Sequence, residues 1–191
     1  NLEKLYLFRN RLDSIPDEIG RLTNLEELVL SSNGIENIPK EIGQLRNLEK
    51  LSLKHNEIDS LPPAIGNLTN LQELHLQYNN IKYLPSEIGN LKNLEFLYLD
   101  HNQLESIPSA IGKLKNLKFL YIGKNSLEAL PPEIGNLVNL TELHLVNSGP
   151  LLSIPPTVEN LKYLERLYVD SSVEVPYAIQ RANPRLKIIV Y

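Results

Sequence analysis

The chain has 191 residues, a formal net charge of −4 and no cysteine. The lack of cysteine excludes disulfides, thiolate catalysis and cysteine-ligated zinc. The negative charge argues against a nucleic-acid binder, which needs a basic stripe, and no apolar run is long enough for a transmembrane helix.

A repeating pattern with the frame LxxLxLxxNxLxxLPxxIGxLxN runs along most of the chain. An asparagine marks the register, and a proline follows six residues later. The asparagines are Asn10, Asn33, Asn56, Asn79, Asn102 and Asn125, and the prolines are Pro16, Pro39, Pro62, Pro85, Pro108 and Pro131. Six matching copies at a spacing of 23 residues are far beyond chance and indicate a repeat array.

Each copy predicts a short strand followed by a turn. In the copy that begins at Leu71, the alternation places Leu74 and Leu76 inward and His75 outward. The asparagine after the strand can satisfy backbone groups of the turn, because its side chain offers both a donor and an acceptor. Proline then begins a return segment, PxxIGxLxN, whose length favours one helical or 3₁₀ turn ended by glycine.

Stacked copies predict an α/β solenoid with a parallel sheet, because one copy cannot bury its apolar face alone. We expect a single domain over 1–191 with about eight repeats, and a ninth strand near Leu186. The repeats, and with them the strands, are expected to start near Leu2, Leu25, Leu48, Leu71, Leu94, Leu117, Leu140 and Leu164.

The pattern changes toward the C-terminus. The seventh copy has one extra residue and places Ser148 where the other copies have the repeated asparagine, which we call the ladder position. The Asn147–Pro150 insertion predicts either a loop that contacts a ligand or a repeat that departs from the pattern near the end of the array. The eighth copy is shortened, and residues 170–191 are expected to form a C-terminal cap with a short amphipathic turn, a break at Asn183-Pro184 and a last strand.

No comparable N-terminal cap is present in the sequence. The chain lacks methionine and begins in mid-pattern, so we expect a processed or trimmed piece. The exposed first strand predicts either that the native protein continues upstream or that this edge self-associates with another chain.

These motifs resemble the leucine-rich repeats of the 23-residue class, in particular those of Ras-group proteins and, still more, of bacterial (spirochaete-type) proteins. The resemblance covers nearly the whole chain. It implies a right-handed horseshoe with a concave parallel β-sheet and short helical or 3₁₀ convex segments, protein binding by the concave face, and no catalysis by the repeats. By analogy it also implies a secreted or surface protein that contacts a host or another cell, although the sequence leaves a cytoplasmic location open.

The outward strand positions hold most of the aromatic residues, although the repeat rule requires none there. All three phenylalanines, all four histidines and five of the nine tyrosines fall in these columns. The predicted site is a block of Phe96, Tyr98, Phe119 and Tyr121 surrounded by His75, Tyr78, His101 and His144, with Tyr168 further along. Exposed aromatic clusters mark binding sites, but cross-strand aromatic pairs also stabilise sheets.

Charge and chemistry leave several alternatives. Glutamates on the sheet face or its margin favour a partner with a basic patch, or are simply a solvated face; they are Glu26, Glu27, Glu49, Glu73, Glu95 and Glu142. Flat rings also suit a glycan or cell-envelope ligand, and the chain could be a scaffold segment of a larger receptor. A metal site built from His75, His55 and His101 is a remote alternative, because His55 and His101 lie two strands apart. No phosphate-binding loop or hydrolase motif occurs, so neither an enzyme nor a bound cofactor is expected.

Overall fold

The computed structural model describes residues 1–149 and 152–191, and within them nine short strands form one parallel sheet in chain order. The strands are β1 (Lys4–Tyr6), β2 (Glu27–Val29), β3 (Lys50–Ser52), β4 (Glu73–His75), β5 (Phe96–Tyr98), β6 (Phe119–Tyr121), β7 (Glu142–His144), β8 (Arg166–Val169) and β9 (Lys187–Val190). The sheet forms the concave layer of a leucine-rich-repeat horseshoe, as predicted.

The convex layer consists of short 3₁₀ helices that alternate with the strands. In the described residues they span Asp17–Arg21, Lys40–Gln44, Pro63–Asn67, Ser86–Asn90, Ser109–Lys113, Pro132–Asn136 and Pro156–Asn160. One α-helix, α1 (Tyr177–Ala182), precedes β9. Because proline at each N-cap supplies an extended φ and the return segment is short, one tight turn fits where a longer helix would not.

The core is a continuous column of aliphatic side chains between the two layers. In the copy that begins at Leu71, the inward-facing Leu74, Leu76, Ile81 and Ile88 have no solvent exposure. The same positions are buried in the neighbouring copies. Each leucine removed from water contributes roughly 1.5–3 kcal/mol, so the stacking of copies supplies the main stabilising free energy.

The first eight strands begin two residues later than predicted, and β9 begins one residue later. The first leucine of each copy belongs to the preceding turn, since the amide of Leu71 donates to the carbonyl of Leu68 at 3.0 Å. Pairing with the previous copy starts one residue further on, where the amides of Gln72 and Glu73 both donate to the carbonyl of Glu49. The register therefore runs from Glu73 rather than from Leu71.

The glycine of the repeated frame was expected to end the 3₁₀ turn, but this expectation was wrong, because the glycine lies inside the turn. Gly66 lies inside Pro63–Asn67, and none of the described glycines has a positive φ. A Cβ atom on Gly66 would lie 2.5 Å from the carbonyl oxygen of Glu87 in the next copy. Glycine is therefore required for the close approach of neighbouring 3₁₀ helices.

The predicted asparagine ladder is confirmed. Asn79 donates to the carbonyl of Leu76 in its own copy and to that of Leu53 in the copy before, both at 3.0 Å. Its Oδ1 accepts from the amide of Ile58 at 3.1 Å. One buried side chain thus satisfies backbone groups of two copies, each of which would cost ~1–3 kcal/mol if left unpaired.

The seventh copy satisfies this ladder differently. Ser148 is buried and donates to the carbonyl of Ile122 at 3.0 Å, while the amide of Leu127 donates to the backbone carbonyl of Ser148. The amide of Asn147 donates to Asp170 Oδ2 at 2.6 Å. Ser148 therefore occupies the ladder position as predicted, whereas Pro150, the end of the predicted insertion, lies outside the described residues.

The two ends of the sheet differ. At the C-terminal end, α1 packs on the last 3₁₀ helix and contains the buried Ile179, and β9 pairs with β8. At the other end β1 pairs with β2 alone, and Leu2 and Phe8 are exposed. Self-association through this edge and the boundaries of the single domain stay predictions.

Candidate functional site

A stack of aromatic rings runs across the concave face, one ring per strand. The register places His75, Tyr98, Tyr121, His144 and Tyr168 side by side on β4 to β8. Neighbouring ring centroids lie 4.6, 5.1, 5.2 and 4.8 Å apart along this series. We call these five residues the central stack; all five were predicted to face outward from the sheet, and the structure brings their rings together.

Two shorter stacks flank the central stack. Phe96 and Phe119 lie face to face with centroids 4.9 Å apart and planes 9° apart. On the other side the ring of Tyr78 lies between His55 and His101, at 4.2 and 3.9 Å. The predicted site residues thus form three parallel rows rather than one block with surrounding histidines.

The row of His55, Tyr78 and His101 depends on an unusual backbone conformation. Each of these residues has a positive φ between 56° and 57°, and the equivalent position of the other copies does too up to Asn147. The sequence gives little sign of this, because the position holds arginine, serine, histidine, tyrosine or lysine rather than the usual glycine. The left-handed residue turns the chain after each strand and holds its side chain at the edge of the concave face.

A buried carboxylate supports the central stack. Glu142 is only 5% exposed, and it accepts a hydrogen bond from the Tyr121 hydroxyl. Its other oxygen accepts from Arg166 Nε at 2.5 Å. Burial raises the pKa of the Tyr121 hydroxyl, and the hydrogen bond to Glu142 raises this pKa further. Tyr121 is therefore a fixed, neutral hydrogen-bond donor, which orients its ring within the stack.

The two histidines of the central stack favour their neutral forms. Burial lowers the pKa of His75, and the nearby Glu73 carboxylate, 3.0 Å from Nε2, opposes this effect. Burial also lowers the pKa of His144, whose buried Nδ1 has no hydrogen-bond partner among the described residues. At neutral pH the stack therefore presents neutral rings.

Most of the glutamates that were expected to make the face acidic form ion pairs or hydrogen bonds with other side chains of the chain. Glu27 accepts from the Tyr6 hydroxyl and pairs with lysines, and Glu73 pairs with Lys50 at 3.1 Å. Glu95 pairs with Lys118 at 2.6 Å, and Glu142 is held as described above. Glu26 and Glu49 remain exposed at the margin. The net acidic surface that was expected is thus largely neutralised by neighbouring cations.

The remote metal alternative finds no geometric support. The Tyr78 ring separates His55 from His101, and His75 is stacked on Tyr98 in a different row. Within residues 1–149 and 152–191, no three histidine, aspartate or glutamate side chains are grouped as metal ligands.

Sequence reasoning missed two parts of the face. Tyr191 extends the central stack, with its ring 6.4 Å from that of Tyr168, and the alternation of β9 from Lys187 could have revealed it. The second is a depression over β2, where Val29, Ser31 and Ser32 leave the floor low between larger neighbours. The small side chains at these outward positions could have indicated the depression, but a search for aromatic residues does not detect it.

Comparison with known proteins agrees with this geometry. The model of the leucine-rich repeat region matches residues 1–79 and 74–148. The chain belongs to the leucine-rich repeat family. Arrays of this kind present extended concave binding surfaces and are typically non-catalytic, so the chain is a protein-interaction module in the general sense. No curated protein sequence matches the chain.

Three solved structures have the same fold. A leucine-rich repeat protein of Leptospira interrogans is 38% identical over 97% of this chain, with a TM-score of 0.72. Internalin C2 of Listeria monocytogenes is 23% identical over 98% of this chain and 80% of its own, with a TM-score of 0.81. A plant peptide hormone receptor, RGFR1 in complex with RGF2, is 25% identical over 98% of this chain, with a TM-score of 0.67.

The chain spans only part of two of these proteins. It covers 54% of the Leptospira chain and 39% of the plant receptor chain. None of the helices in the described residues is both long and apolar enough to cross a membrane.

Proposed function

We propose that the chain is a non-catalytic protein-binding module and that a protein partner docks on its concave face against the central stack and the Phe96–Phe119 pair. The observation that carries the proposal is the ring stack itself. Ten of the chain's aromatic and histidine rings stand in three ordered rows on one face, although neither the leucine core nor the asparagine ladder requires rings there.

Ordered rings suit a binding surface because their entropy has already been lost on folding. Tyrosine and phenylalanine dominate binding hot spots, and anchors that are rigid before binding lose less entropy when the partner arrives. The Glu142 carboxylate holds Tyr121, and neighbouring rings confine Tyr98 on both sides. The plant receptor solved in complex with RGF2 supports the proposal, since it has the same fold and binds a peptide hormone.

The stacking geometry favours a protein over a glycan. A sugar docks on the flat face of an aromatic ring, but the inner rings of the central stack cover each other's faces. What they present to solvent is their edges, which carry partial positive charge and suit carbonyl and carboxylate oxygens. A peptide backbone supplies such oxygens at every residue, so it fits this surface better than a pyranose ring does.

A scaffold segment of a larger receptor is the second candidate. The chain corresponds to only about half of the Leptospira protein and to less of the plant receptor. In such a protein the concave face would share partner binding with further repeats.

An affinity pull-down with mass spectrometry tests the proposal. The parent chain is compared with a variant carrying Phe96→Ser, Tyr98→Ser, Phe119→Ser and Tyr121→Ser, after circular dichroism has confirmed that the variant is folded. We expect a partner that the parent captures and the variant does not. A second variant, Phe96→Ser with Phe119→Ser, spares the Glu142 hydrogen bond in case the fourfold change unfolds the chain.

The matched control changes tyrosines on other surfaces. Tyr163 and Tyr177 are 66% and 73% exposed and lie outside the three rows, so Tyr163→Ser with Tyr177→Ser removes aromatic surface without touching the concave face. This control is expected to capture the same partner as the parent. If the concave variant keeps the partner and the control loses it, the proposed site is wrong.

A further inference from the structure

The depression over β2 is a notch in the concave face whose floor extends to β3. Its floor is formed by small side chains, among them Ser31 and Ser52, whose hydroxyl oxygens lie 2.8 Å apart and are nearly buried. Larger side chains form its two walls, Phe8 on one side and His55 and His75 on the other. The notch is continuous with the central stack, because His75 belongs to both.

The walls of the notch are basic. Arg9, Lys50 and Lys54 line it, against a single carboxylate, that of Glu27. Glu27 is already occupied by Tyr6, Lys4 and Lys50. Among the described residues neither Arg9 nor Lys54 forms an ion pair, so two cations face the notch without a counter-charge.

The exposed carboxylates of the same copies lie elsewhere. Glu26 and Glu49 line a neighbouring depression at the beginnings of β2 and β3. This depression shares Glu27 and Lys50 with the notch, and in it four glutamates face two lysines. Arg9 and Lys54 follow the ends of β1 and β3. Negative charge at the strand beginnings and positive charge at the strand ends therefore leave the notch itself with a positive balance.

We infer that this notch receives an aspartate or glutamate side chain of an extended partner segment whose apolar side chain docks at the aromatic rows. The inference rests on the proposed function and adds the chemistry of the partner. The carboxylate would meet Arg9 and Lys54 at the walls and the serine hydroxyls at the floor. Charge complementarity of this kind sets specificity and association rate more than affinity.

The spacing of the two anchor points can be derived from the sheet. The notch lies over β2, and its lining residue Val29 is in register with Tyr98 on β5, three strands further on. At about 4.8 Å per strand the two points are roughly 14 Å apart, and an extended chain covers this distance in about four residues. The partner segment should therefore carry its acidic residue about four positions from an apolar or aromatic residue.

Selection from a displayed library of random twelve-residue peptides tests the inference. Selection is made against the folded parent chain at low salt. Enriched peptides are then synthesised, and their binding is measured by fluorescence anisotropy. We expect enrichment of an acidic residue about four positions from an aromatic or aliphatic one.

Charge-removing variants locate the carboxylate. Arg9→Gln with Lys54→Gln should weaken binding about tenfold at low salt, and the difference should shrink in 0.5 M sodium chloride, because salt screens exposed charges. The matched control Lys124→Gln removes an exposed concave cation outside the notch and should leave binding within about twofold.

Each other outcome overturns the inference. Peptides enriched without an acidic residue, or an equal loss with Lys124→Gln, would leave the concave site standing but refute the notch. A phosphoserine peptide that binds while its glutamate equivalent does not would make the notch a phosphate site instead. Failure to enrich any peptide would refute an extended segment as the occupant, whereas the pull-down judges protein binding separately.

Discussion

The concave face has two regions, over β1 to β3 and over β4 to β8, which have the same strand arrangement but different outward side chains. Across β3 to β5 the inward residues are identical, since Leu51, Leu74 and Leu97 are paired in register. The outward residues of the same strands change from Ser52 to His75 and Tyr98. The N-terminal region therefore has a low, polar floor with basic walls, whereas the region from β4 to β8 carries the ring stack.

This contrast separates what the fold requires from what it leaves free. From β2 onward the inward leucines are buried in both regions and cannot change without loss of packing. Both sets of outward residues are compatible with the same strands and the same ladder. The core and the ladder thus leave the difference between the two regions free, and under the proposed function this difference sets the binding chemistry.

The largest expected effect tests whether the buried leucines beneath the two regions contribute equally to the free energy of unfolding. Leu51→Ala and Leu97→Ala should each lower the free energy of unfolding by ~2–5 kcal/mol, because each leaves a cavity under a fully buried side chain. Urea unfolding followed by circular dichroism measures both. A cost below about 1 kcal/mol for either leucine would show that the cores of the two regions are not equivalent.

The next effect concerns the ladder that joins the copies. Asn79→Ala leaves the buried Ile58 amide without its acceptor and should cost ~1–3 kcal/mol. The carbonyls of Leu53 and Leu76, by contrast, keep Asn56 and Asn102 as donors. Asn10→Ala is the matched control, because Asn10 is exposed and bonds only to carbonyls of its own copy. It should cost less than about 0.5 kcal/mol. Equal costs for the two asparagines would contradict the role of the ladder between copies.

The architecture could be predicted from the sequence because the same spacing of leucine, asparagine and proline recurs in copy after copy. The spacing of Asn79 and Asn102 fixes the stacking, and the alternation of Leu74, His75 and Leu76 fixes which residues face inward. The role of Gly66 was misjudged because close packing against Glu87 is a contact between copies. Such a contact is not visible in the pattern of a single copy.

The site could be predicted only in part. The columns correctly collected His75, Tyr98 and Tyr121, because strand alternation determines the face. They could not show that Glu142 is buried beneath Tyr121, since the rotamers that join these side chains depend on their neighbours in space. The same limit applies to the ion pairs that neutralise the glutamates.

A smaller effect distinguishes two tyrosines of the central stack. Tyr121→Phe keeps the ring but removes the hydrogen bond to the buried Glu142, and should cost ~1–2 kcal/mol. Tyr98→Phe also keeps the ring, and the Tyr98 hydroxyl makes no hydrogen bond within the described residues, so its cost should be close to zero. Thermal unfolding compares the two variants. Equal melting temperatures would show that Glu142 does not depend on Tyr121.

The smallest expected effect is a pH dependence confined to the ring-bearing region. The pKa values of His75 and His144 are lowered in the folded state, chiefly by burial. The unfolded chain therefore takes up protons first as the pH falls through about 6.5, and the stability present above that pH is progressively lost below it. We expect the melting temperature to fall between about pH 7.5 and 5.5, and only modestly, because both rings are partly exposed.

Paired variants assign this slope to the two histidines. His75→Gln with His144→Gln should flatten the change in melting temperature over this range, although it lowers the melting temperature at every pH by removing stacked rings. Tyr98→Phe, which changes the same stack without changing a group that titrates here, should keep the parent slope. Against the effect of burial, hydrogen bonds from His75 and Lys50 lower the pKa of Glu73, so this carboxylate contributes little to the slope. An unchanged slope in the double variant would place the proton uptake outside the central stack.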